Sequence, residues 1–210
     1  LLTGVAGGES GASGAPGTPV GQTAREAVFS SGSLVVGRTV VAFVDEPRPS
    51  LPPDLTEYLD GSVIRSVTGE LAWDMERGYF TIDTAGTKGV VGFAGGTSSR
   101  LGDWTIELES PFASLIITSL EREADLSTAG SALVSVFARN RNTGMEFGPE
   151  GNALLAVGRG PIVMEPVQAA IAVRGREIAA VYVLDHDGRR TDVTLPVTGG
   201  RFEIDGRRDK

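Results

Sequence analysis

The chain has 210 residues and a formal net charge of −8, so its long-range field has the wrong sign for nucleic acid or an anionic membrane surface. Its 29 glycines and 11 prolines exclude a helical bundle, since both residues interrupt helices. The absence of cysteine removes disulfides, thiol nucleophiles and thiolate metal sites, and no apolar run reaches the roughly 20 residues that a membrane-spanning helix needs.

Residues 1–30 are mostly Gly, Ala, Ser, Thr and Pro, with little to bury and a large ordering entropy. They read as a linker or arm, and residues 31–210 as one β-sandwich domain. The start, "LLTGVAGG", lacks the basic end and long apolar centre of a signal peptide, and the chain reads as part of a longer polypeptide. Ser33–Val44 is apolar on both strand faces apart from Gly37-Arg38, which predicts a buried strand with a bulge or two short strands around a turn. Pro53-Asp54 and Gly61 supply the start and stop of one short helix near 53–60.

From Ser62 onward, strand signals recur at short intervals. The run Gly69–Asp83 alternates apolar and polar residues on both sides of a Met75–Gly78 interruption, which predicts a hairpin with Leu71, Trp73, Phe80 and Ile82 facing the interior. Further strands are expected at Gly89–Ala94, Trp104–Glu109, Phe112–Leu120, Ser131–Arg139, Ala153–Val157, Val167–Val173, Ile178–Leu184, Asp192–Val197 and Arg201–Ile204. About a dozen strands with turn-rich spacers and no helical crossovers predict an all-β fold, an antiparallel sandwich of jelly-roll or Ig-like type.

Asp74 with Glu76, Glu107 with Glu109, and Glu121 with Glu123 have the spacing of paired carboxylates for acid–base work. Glu107 and Glu109 share the face opposite Ile106 and Leu108, where solvated charge is expected, and the other pairs fall in turns, so none is assigned as catalytic. His186, the only histidine, lies in "LDHDGRRTD", where Asp185, Asp187 and Gly188 describe a hairpin turn. "DHDG" also matches half of a calcium loop, without the further oxygen ligands such a loop requires. No metal or cofactor is expected. Sugar rings stack on flat side chains, and Tyr79, on the polar face of its strand, and Trp104, at a strand start, are the candidate carbohydrate-binding residues.

Four segments carry a resemblance: "SVTGELAWD" at 66–74, "GYFTIDTAGTKGVVGFAGG" at 78–96, "FASLIITSL" at 112–120, and "RNTGMEF" with "GRGPIVMEPV" at 141–147 and 158–167. In this order, and over Leu34 to Ile204, the chain resembles the β-sandwich domain that follows the catalytic (β/α)₈ barrel in a group of bacterial glycoside hydrolases. It departs from that pattern at Val67, Ala85, Gly86 and Lys88. The resemblance implies a non-catalytic accessory domain, extracellular or at the cell surface, that stabilises or shapes a catalytic barrel in the same polypeptide or complex. Two other readings stay open: an independent polysaccharide-binding module, and a structural β domain of a surface or filament assembly whose N-terminal arm donates a strand.

Overall fold

The computed structural model describes Leu2–Thr3, residues 32–40 and residues 54–208. Apart from Leu2–Thr3, the expected linker at 1–30 lies outside the described residues, as do residues 41–44 of the expected strand at Ser33–Val44. The chain divides into two compact units, Leu1–Ala72 and Trp73–Lys210.

In the first unit, β1 (Leu2–Thr3) precedes α1 (Gly32–Val36), and β2 (Thr39–Val40) runs parallel to β1. Ser33–Val36, expected to be extended, therefore forms one turn of α-helix, with the Gly37 N–H donating to the Ser33 carbonyl at 3.3 Å. A short apolar run suits either state, and here tertiary burial of Ser33 and Val36 decides it. The helix expected near 53–60 is a single 3₁₀ turn at Thr56–Tyr58. Asp54 holds its entry, its Oδ1 accepting from the Thr56 N–H and hydroxyl at 2.9 and 2.6 Å, which also holds the carboxyl below its ordinary value. β3 (Leu59–Asp60) and β4 (Val63–Arg65) form a two-stranded antiparallel pair that buries Ile64. β5 (Leu71–Asp74) crosses the boundary between the units.

The second unit is an antiparallel sandwich. Its strands are β6 (Tyr79–Asp83), β7 (Thr87–Gly92), β8 (Thr97–Leu101), β9 (Trp104–Leu108), β10 (Ala113–Ser119), β11 (Ala132–Phe137), β12 (Asn140–Thr143), β13 (Glu146–Phe147), β14 (Leu154–Ala156), β15 (Arg159–Met164), β16 (Gln168–Val173), β17 (Val181–Leu184), β18 (Arg190–Leu195) and β19 (Arg201–Asp205). One layer has the order β11-β10-β7-β6 and the other β19-β16-β9-β8. Alternation of buried and half-buried residues along β9, and along β10 as far as Thr118, is the period-2 pattern of strands with one face on a core. Val90, Leu115 and Ile117 from the first layer meet Trp104, Ile106, Leu108, Ile171 and Phe202 from the second.

The interior differs from the sequence expectation in one hairpin. Thr81 pairs with the buried Val90, which puts Tyr79 and Thr81 on the inner face. Tyr79 packs against the core, while Phe80 and Ile82 are half-buried on the opposite face, where Ile82 and Ile116 flank Gly89. Leu71 and Trp73 are also half-buried and are not part of the buried cluster. The turn before β6 forms as expected: Asp74 Oδ1 accepts from the Glu76 and Arg77 N–H groups at 3.2 and 3.0 Å. Gly92 (φ +119°) closes this hairpin where any Cβ would overlap the Gly78 carbonyl oxygen and Tyr79 Cα, so glycine is required there.

Lys88 is the charged side chain in the buried set, at 8% exposure. Its Nζ lies 2.5 Å from Asp83 Oδ1 and 2.6 Å from the Thr84 carbonyl, and Asp83 Oδ2 accepts the Gly102 N–H at 3.1 Å. Asp83, held by Lys88 within its own hairpin, thus fastens the β6–β7 turn of one layer to the β8–β9 turn of the other through the Gly102 N–H.

Candidate functional site

One carboxylate of each candidate pair is occupied by the scaffold. Glu107 Oε2 accepts from Arg201 at 2.8 Å across the outer face of the second layer, and this donor holds the Glu107 carboxyl below its ordinary value while raising Arg201. Glu121 Oε1 accepts the Gly130 N–H at 2.5 Å, closing the β10–β11 loop, and Asp74 is spent in its turn. Asp185 Oδ1 accepts the N–H groups of Asp187 and Arg189 at 2.9 and 2.8 Å, while Asp187 pairs with Arg189 at 3.0 Å. These contacts build the β17–β18 hairpin turn with Gly188 at φ 76°. Among the described residues no group of three His, Asp or Glu side chains is placed to hold a metal ion.

Trp104 is 8% exposed and belongs to the core, where it forms part of the lining of a cleft. Tyr79 sits in the other layer with the Arg77 guanidinium 5.5 Å from its ring centroid. The two rings named from the sequence therefore lie in different layers and form no shared stacking surface. The cleft, ≈ 810 Å³, opens between β11 and β19 and is bounded by the β17–β18 hairpin. Its walls are largely apolar, with Val134, Val136 and Phe202 among them. Arg176 also lines it but donates to the carbonyls of Leu126 (2.7 Å) and Ala129, pinning the loop beside it. Tyr182, which lines the same cleft, is 43% exposed and lies under the Arg190 guanidinium, 4.4 Å from its ring centroid. Sequence reasoning missed Tyr182, although its alternation with Val181 and Val183 marks it as facing away from them.

A second feature is a ribbon between β11 and β16. β12 pairs with β15 (Arg141↔Val163) and β13 with β14 (Phe147↔Leu154), with register shifts in both. The tip is closed by the Gly148 N–H to the Ala153 carbonyl at 2.8 Å, and the root by an Arg139–Glu165 ion pair at 3.0 Å. Among the described residues no third strand joins either pair. Leu154, Leu155, Val157, Ile162, Val163 and Met164 are all at least half exposed, and Leu155 and Ile162 reach 67% and 68%.

No family model, curated protein or solved structure matches this chain. The site is therefore read from its own geometry. Among the described residues no helix is long and apolar enough to cross a membrane.

Proposed function

We propose that the chain is a non-catalytic accessory β-sandwich domain of a secreted glycoside hydrolase, acting by stabilising or shaping a catalytic barrel in the same polypeptide or complex. The observation that carries the non-catalytic part is the commitment of one carboxylate in each candidate pair, Asp74, Glu107 and Glu121, to a turn, an ion pair and a loop closure. A sugar hydrolase needs two carboxyl groups facing one another across a substrate bond, and these groups face their own scaffold. The companion barrel is supported by the ordered resemblance of residues 66–167. The decisive measurement is the reading frame upstream of Leu1 together with an assay of the isolated chain. A barrel-coding frame and no hydrolysis of any polysaccharide are expected; a frame without a barrel, or turnover by the isolated chain, overturns the reading.

The half-exposed Tyr182 beside the cleft favours a second reading, a polysaccharide-binding module. Trp104 lies in the cleft wall, so titration with soluble polysaccharides while following tryptophan emission reports occupancy directly. A saturable response lost in Tyr182→Ala would move the assignment to that reading.

A further inference from the structure

The cleft between β11 and the β17–β18 hairpin reaches the interior of the sandwich. Trp104, Leu126, Val173 and Phe202 line it, and all four are core side chains at 8% exposure or less. It opens where one layer ends at β11 and the other at β19, with the hairpin paired only to itself among the described residues. At ≈ 810 Å³ it has the size of sites that enclose small molecules.

The chemistry of the walls narrows the occupant. Among the described residues the lining has no Asn or Gln, and Arg176 and Asp185 are spent on the Leu126 and Ala129 carbonyls and on the hairpin turn. A sugar would bring hydroxyls around its ring to a floor of Trp104 and Phe202, where each one left unbonded is costly. An alkyl chain brings none.

Charge at the rim is asymmetric. Arg190, which also lines the cleft, pairs with Leu184 near the hairpin tip, lies over Tyr182 and makes no ion pair among the described residues. Glu177, the lining's acid outside the hairpin turn, lies before the opposite end of β17. An anionic head group is attracted at the tip and repelled at the other end, which sets the direction in which a chain enters.

We propose that the cleft binds a linear anionic amphiphile, a medium-chain or long-chain alkyl carboxylate, with its chain on Trp104, Val136 and Phe202 and its carboxylate on the Arg190 guanidinium. The apolar floor supplies the affinity, and Arg190 selects the head group. The site does not depend on the glycosidase reading, and it competes with the polysaccharide reading for the same cleft.

Calorimetric titration of the whole chain with dodecanoate, kept below its micellar concentration, tests it. Saturable binding is expected, and along octanoate, decanoate and dodecanoate each added methylene is expected to tighten it by about fourfold. Arg190→Gln is expected to weaken dodecanoate binding by about tenfold and to leave the binding of uncharged dodecanol unchanged. Trp73→Phe leaves Trp104 as the sole tryptophan, so quenching of its emission by 12-bromododecanoate locates the chain in the cleft. Absence of saturable binding, an affinity indifferent to chain length, an Arg190→Gln variant that binds dodecanoate as the wild type does, or an unquenched Trp104 would each overturn the proposal. A soluble polysaccharide that binds where dodecanoate does not would give the cleft to the sugar reading instead.

Discussion

Trp104 and Glu107 stand three residues apart on β9 and face opposite ways, and their substitutions separate packing from surface charge. Trp104→Ala removes a large ring from between the layers and is expected to cost about 3–5 kcal/mol, read as a fall in urea midpoint at unchanged slope. Glu107 behaves differently. Its folded carboxyl is held below the ordinary 4.5 by the Arg201 hydrogen bond, so its contribution is present above the unfolded value and is lost as pH falls through the folded one. Both partners are about two-fifths exposed, and water and salt screen the pair to about 0.5 kcal/mol. Melting wild type and Glu107→Gln at neutral pH and near pH 3 is expected to give a small difference at neutral pH that vanishes in acid; an equal difference at both would show that the glutamine acts through packing instead.

At the scale of elements, Asp83 pairs with Lys88 in its own hairpin and joins that turn to the turn of the other sheet through the Gly102 N–H. Asp83→Ala leaves an ammonium in a mostly dry site without its partner and takes away the acceptor of the Gly102 N–H. The expected cost is about 2–3 kcal/mol, below the usual loss for a fully buried pair because Asp83 is partly exposed. Lys88→Met keeps the stem's packing and is expected to cost less; a larger loss for Lys88→Met in equilibrium unfolding would refute this ordering. Much of this layer was legible beforehand. The break in alternation at Met75–Gly78 located the bend before β6, Asp and Gly turn chemistry located the one between β17 and β18, and strand signals located β9, β10 and β16. The face of β6 was not legible, because Tyr79, Phe80 and Ile82 all have enough apolar surface to face inward, and the choice is made by the pairing of Thr81 with Val90 of the next strand, whose own face is set by packing in the core. Likewise Ser33–Val36 is too short for periodicity to separate helix from strand.

For the molecule as a whole, alternation specified a sandwich because a face that buries and a face that does not leave a period of two in any sheet. The same logic fails for the ribbon between β11 and β16. Its apolar residues have the spacing of a core strand, and only the absence of a covering layer among the described residues distinguishes them, a fact held in the packing and not in the local sequence. The cleft was equally invisible, being assembled from β11 and, much later in the chain, from β17, β18 and β19.

One consequence of the buried ion pair concerns how the fold can be watched opening. The chain has two lysines, Lys88 and Lys210. With the first enclosed between the layers, scission after Lys88 by a lysine-specific endoprotease requires the sandwich to part. The rate at which one band becomes two on a gel, followed against denaturant, is then a direct clock for that opening. Asp83→Ala is expected to run the clock faster, whereas equal rates in both proteins would mean that the ion pair does not hold the layers shut.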